Sequence, residues 1–145
     1  MRKIPIRYLI LIFLITGTTI TAENKKFAEQ RISINGNILI VEIADTPKKR
    51  QEGLMYREKL DWDEGMLFIF EIPYYYAFWM KNTKIPLSLA FIDQEFKITE
   101  IVDLEPMDTT LAVPSQKISY VLEMNKGWFK KNNVKVGDAV KKLGL

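Results

Sequence analysis

Phe78-Trp79-Met80-Lys81-Asn82-Thr83-Lys84-Ile85-Pro86-Leu87-Ser88-Leu89-Ala90-Phe91-Ile92-Asp93 is the stretch on which the fold turns. Leu87 to Ile92 reads as a short apolar strand, and Asp93-Gln94-Glu95 turns the chain after it. On the other side, Phe78-Trp79-Met80 is equally apolar, with aromatic residues that favour extended backbone. Between them Lys81-Asn82-Thr83 is a polar turn carrying an ammonium and a carboxamide, both hydrogen-bond donors. The reading is therefore two greasy strands joined by a donor-rich hinge.

Working outward toward the N-terminus, Met66-Leu67-Phe68-Ile69-Phe70 is another short β-type run, entered from the turn Asp61-Trp62-Asp63-Glu64-Gly65. Asp45-Thr46-Pro47 opens a helix of about two turns. Thr46 suits the N-cap, Pro47 suits the first turn where its missing N–H is harmless, and Gly53 suits a left-handed C-terminal cap. Arg31 to Ile34 and Ile38 to Ile43 flank Asn35-Gly36, which tolerates the two positive φ angles of a type I′ hairpin turn. Ile38-Leu39-Ile40-Val41-Glu42-Ile43 is too apolar for one wet face, so it is expected to be central or buried on both sides.

Toward the C-terminus, Phe96 to Leu104 changes its apolar phase near Thr99 or Glu100, which suggests a bulge. Glu105 to Lys117 holds two prolines and no periodicity, so it is the longest loop. Ile118 to Met124 is a strand, Gly127 to Asn132 a short helical turn, and Ala139 to Leu143 a last strand. Six or seven short strands with two small helices predict one mainly β domain, either a sandwich of jelly-roll character or a partly closed barrel.

These blocks match a family pattern. Asp45-Thr46-Pro47 with Arg50 and Gly53-Leu54-Met55, Gly65-Met66-Leu67-Phe68, Phe78-Trp79-Met80-Lys81-Asn82-Thr83 with Ile85-Pro86-Leu87, Phe91-Ile92-Asp93, Tyr120-Val121-Leu122-Glu123 and Gly127…Gly137-Asp138 occur here in that family's order. The chain resembles the domain-of-unknown-function 192 family from Ile38 to Leu143. The resemblance implies a compact, mainly β domain of sandwich or jelly-roll character, often exported in bacteria, and it implies no reaction. One departure is visible: Ser88 stands where the family usually carries an acidic residue.

Residues 1–22 read as an export signal, with Arg2, Lys3 and Arg7 basic, Tyr8 to Ile15 apolar, and Gly17 to Ala22 small and cleavable. The apolar core falls short of the roughly 20 residues of a membrane span, although an uncleaved N-terminal anchor is the alternative. Residues 23–30 are then a linker and 31–145 a single β-rich domain, located in the periplasm or outside the cell. The chain carries 21 Lys+Arg and 18 Asp+Glu, and setting aside the three signal cations leaves 18 of each sign. A nucleic-acid surface would need clustered basic excess, so that partner class is disfavoured.

The chain has no cysteine and no histidine. Thiolate nucleophiles, Ser-His-Asp triads and imidazole bases are excluded, as is a conventional zinc site. No cofactor is expected. Asp61-Trp62-Asp63-Glu64 lacks the ligand spacing of a calcium loop and reads as a solvated turn. Met55, Met66, Met80, Met107 and Met124 each sit in apolar surroundings and read as core filling rather than a copper site. Tyr74-Tyr75-Tyr76 with Trp79 offers either sugar-stacking faces or inward-packing strand residues.

Two side chains at the hinge could grip a carboxylate, phosphate or sugar hydroxyl: Lys81 by charge and Asn82 by its amide. Asn82 could equally bond its own turn and Lys81 be solvated. Arg50 and Arg57 bracket Gly53-Leu54-Met55 either as anion clamps or as structural staples to Glu58, Asp61 or Glu123. The leading reading is a non-catalytic ligand-binding or accessory domain, with Arg57, Trp79, Lys81 and Asn82 at a small polar or anionic ligand. Two rivals stand beside it. One is a carboxylate-dependent hydrolase or lyase using Asp93 and Glu123; the other is an interaction module with an apolar patch at Tyr74 to Tyr76 in place of a pocket.

Overall fold

The computed structural model describes residues 26–143. In chain order the elements are β1 (Glu29–Ile34), β2 (Asn37–Ala44), α1 (Pro47–Glu52), β3 (Glu64–Tyr74), β4 (Leu87–Ile92), β5 (Ile98–Leu104), β6 (Ile118–Asn125), α2 (Trp128–Lys131) and β7 (Val140–Lys142). All seven strands form one sheet in the order β5-β4-β6-β3-β2-β1-β7. Among the described strands only β2 and β3 pair in parallel, because α1 and its flanks cross over between them. The sheet curls into a half-barrel whose edges touch. Ile98 N–H reaches the Asp138 carbonyl at 3.0 Å, and Val140 N–H reaches the Phe96 carbonyl at 2.8 Å. Of the two architectures expected, the partly closed barrel is the one adopted.

Alternation along the strands gives the sheet two apolar faces. Leu39, Val41, Leu67, Ala90, Leu122 and Met124 fill the concave side, where Trp128 and Phe129 of α2 join them. Met66, Phe68, Leu89, Phe91 and Val121 lie on the convex side under Leu54, Phe78 and Met80. Every residue of β4 is buried as a result.

Local chemistry accounts for several joints. Asn35 (φ 49°) and Gly36 (φ 81°) make the hairpin turn. The Thr46 hydroxyl accepts the Lys49 N–H at 3.3 Å and caps α1. Gly53 ends that helix at φ 49°, ψ −135°, a region open to glycine and not the left-handed cap expected. In β5 the register passes from Phe91↔Glu100 to Ile92↔Ile98, which leaves Thr99 as the extra residue of a bulge.

β2 is central in strand order, the first of the two alternatives expected, and Ile38 and Ile40 are exposed because the convex cover reaches only its Ala44 end. Two readings need correction. The segment before the hinge is no strand: β3 ends at Tyr74, and only an isolated bridge, Phe78 to Ala112, follows. Its apolar residues serve as a lid, with Phe78 and Met80 turned onto the convex face and the backbone bonded to the long loop. The linker is also shorter than expected. β1 begins at Glu29, Phe27 is buried, and the Ile43 N–H donates to the Ala28 carbonyl at 2.8 Å. The expected signal, 1–22, lies outside the described residues.

Candidate functional site

Between α1, the lid and the convex face of β3 and β6 lies a cleft of about 550 Å³. That is within the usual range for small-molecule sites. Phe68 and Glu123 line it at the sheet, Phe70, Tyr76 and Trp79 form aromatic walls, and Arg50 and Lys81 supply cations.

Glu123 lies on β6 two residues beyond Val121, on the same sheet face. Its strand neighbours are Met66 of β3 and Leu89 of β4, both fully buried and apolar. The residue is 5% exposed, and its carboxyl has no hydrogen-bond or ion-pair partner among the described residues. None of the described residues has a fully enclosed polar side-chain atom without a partner, so the unpaired Glu123 oxygens retain contact with the cleft. Burial pushes this carboxyl up to about 8. At neutral pH it is mainly the uncharged acid, one O–H donor with acceptor capacity left over.

Arg50 is held rigidly. Its Nη1 donates to the carbonyls of Asp45 and Ile69, both at 2.8 Å, and its guanidinium lies 5.0 Å over the Phe70 ring. Phe70 in turn stacks on Tyr76 at 3.7 Å. No carboxylate pairs with Arg50 among the described residues. Lys81 is similarly unpaired: its ammonium lies 5.2 Å from the Trp79 ring and meets no acidic side chain among the described residues. The other carboxylate lining the cleft, Glu52, is ion-paired with Lys26. Two cations without a hydrogen-bonded or ion-paired acid among the described residues thus line a cleft whose sheet-side carboxyl is neutral, although the Asp45 carboxylate lies near enough to Arg50 to feel its charge.

The residues expected at the site separate. Trp79 and Lys81 both line the cleft. Asn82 lines it too, but in a structural role. It takes φ 55°, its carbonyl accepts the Tyr56 N–H at 2.8 Å, and its amide donates to the Tyr56 hydroxyl at 2.9 Å. Arg57 is not among the lining residues. It forms a two-pronged pair with Glu42 at 2.7 and 2.5 Å and lies over Phe27, so it staples the segment after α1 to β2. Of the two arginines that bracket Gly53-Leu54-Met55, Arg50 is the one that lines the cleft. Asp93 does not approach Glu123; it accepts the Lys97 N–H at 2.9 Å in the β4–β5 turn. The carboxylate pair required by the hydrolase reading is therefore not assembled from those two residues.

Two other polar positions have structural tasks. Ser88, where an acidic residue was expected, donates to Asp103 at 2.5 Å and accepts the Gly127 N–H at 2.8 Å at the start of α2. Asp63 accepts the indole N–H of buried Trp128 at 2.9 Å. Among the described residues, no three acidic side chains gather closely enough to hold a metal.

A model of the domain-of-unknown-function 192 family, described as an "uncharacterized ACR", matches residues 30–142. No curated protein matches the chain. Among solved structures, a protein of Sinorhizobium meliloti 1021, provisionally described as a transcription regulator, is 35% identical with a TM-score of 0.77. The match covers 82% of this chain and 97% of that one. A protein of unknown function from Novosphingobium aromaticivorans DSM 12444 is 29% identical, also at TM-score 0.77, covering 82% and 89% of the two chains. The chain belongs to the domain-of-unknown-function 192 family.

Proposed function

We propose that the chain is an exported, non-catalytic binding domain for a small organic anion, held in the cleft between α1 and the lid. One observation carries this reading: Arg50 and Lys81, two cations with no acid hydrogen-bonded or ion-paired to them among the described residues, line the same aromatic-walled cleft. An unpaired guanidinium already fixed by two carbonyls loses little further freedom when it clamps a carboxylate. A nucleic-acid role, which the name of the S. meliloti relative would suggest, finds no support in the balance of 18 acidic and 18 basic residues after the expected signal.

Calorimetric titration of the full chain with hexanoate and with inorganic phosphate tests the reading. Saturable binding of the carboxylate is expected, weakened about tenfold by Lys81→Ala, whose side chain is not needed for packing. Absence of saturable binding, or affinity indifferent to Lys81, would overturn it. A second reading has one observation of its own. Ile72, Tyr74 and Tyr75 are exposed beside the cleft wall, with Tyr74 against Tyr76 at 5.9 Å, an apolar lip suited to a protein partner.

A further inference from the structure

The binding reading leaves Glu123 unexplained. A ligand that needed only an anion clamp would be served by Arg50 and Lys81 alone. Yet the sheet side of the cleft presents a carboxyl that is nine-tenths buried and has no partner among the described residues. Its oxygens open on the cleft, so whatever occupies the cleft must supply their hydrogen-bond partners. Met66 and Leu89, its strand neighbours, cannot do so. As an uncharged acid it both donates and accepts, and a hydroxyl group complements both functions.

Resting on the proposed function, we infer that the cleft's ligand is a hydroxy acid, its carboxylate held by Arg50 and Lys81 and a hydroxyl bonded by Glu123. The volume of about 550 Å³ accommodates a molecule of sugar-acid size, and the Phe70–Tyr76 stack offers an apolar wall for its carbon chain. Because the carboxyl titrates near pH 8, its donor is present at neutral pH and lost in alkali. Arg50, Glu52, Tyr56, Tyr76 and Lys81 share the cleft, so a variant must separate the titration of Glu123 from theirs.

The test is calorimetric titration of the full chain with gluconate, hexanoate and sorbitol, ligands matched in carbon number, at pH 7 and pH 9. Gluconate is expected to bind about tenfold tighter than hexanoate at pH 7, and sorbitol more weakly than either. Gluconate affinity should fall about tenfold by pH 9, following the ionisation of Glu123. Glu123→Gln, which keeps a donor and an acceptor, should retain the gluconate preference and flatten the pH profile. Glu123→Met should abolish the gluconate preference, so that within that variant gluconate and hexanoate bind with equal affinity. Equal affinity for gluconate and hexanoate, or an unaltered pH profile in Glu123→Gln, overturns this inference and leaves the anion cleft standing. Failure of every acid to bind overturns both.

Discussion

Replacing Glu123 by Gln should make the protein more stable, and by an amount that depends on pH. The carboxyl titrates at about 8 in the folded chain against an ordinary value near 4.5, with burial as the cause. Below the ordinary value the side chain is neutral folded and unfolded, so it contributes nothing to the pH dependence. Between the two values the unfolded chain ionises while the folded chain holds its proton, so the native state binds more protons and stability falls as pH rises. Each pH unit across that interval is worth about 1.36 kcal/mol, so the accumulated penalty reaches about 5 kcal/mol by pH 8. That is a large fraction of the stability of a domain this size. Gln preserves the shape and the hydrogen-bonding capacity but cannot ionise. Urea unfolding of both proteins between pH 4 and pH 9 should show curves that nearly coincide in acid and separate progressively toward pH 8, with the variant above. A gap that stays constant across that range would mean that Glu123 ionises normally, and the reasoning about the cleft's sheet side would be wrong.

Other consequences follow from single contacts. Gly53→Ala places a methyl group 3.3 Å from the Phe68 ring at a backbone conformation that side chains avoid, and should lower stability by about 1–3 kcal/mol in urea titration. Gly65→Ala is harsher. Its methyl group would overlap the Glu123 carbonyl and the Met124 sulfur, both at 2.4 Å, so little soluble folded protein should be recovered. Ser88→Ala removes the acceptor of the Gly127 N–H in a buried site and should cost about 1–3 kcal/mol, visible as a lower Tm. Arg57→Ala breaks the half-buried pair with Glu42 and should cost about 1 kcal/mol, while organic-acid affinity in calorimetry stays as in the parent chain.

The parts of this molecule that were legible in the sequence are those whose causes are local. Asn35-Gly36 dictates its turn by φ preference, Thr46-Pro47 opens α1 by capping, and the slipped apolar phase around Thr99 announces its bulge. Contacts between distant segments were not legible. Nothing local distinguishes an apolar lid from an apolar strand, so Phe78 to Met80 read as a strand until the convex face beneath it was in view. Arg57 carries no mark of its partner, because Glu42 comes beside it only through the parallel β2–β3 pairing and the crossover that makes it. Lys81 and Trp79 were singled out by their place at a hinge, and both line the cleft. Arg50 was equally visible as a cation near a glycine turn, but the two carbonyls that hold it, those of Asp45 and Ile69, come together only in the folded chain. Glu123 did leave a signal. It is an acid inside the apolar run of β6, at the alternation that points to the covered face, and its burial became certain only once the lid closed over that face.

A crystal structure of the full chain soaked with gluconate at pH 7 tests the central claim most directly. The expected density lies against the Phe70–Tyr76 wall, with the ligand carboxylate within hydrogen-bond distance of the Arg50 guanidinium and the Lys81 ammonium, and a ligand hydroxyl on Glu123. Gluconate bound elsewhere on the surface, or a cleft holding only water at saturating ligand, would contradict it.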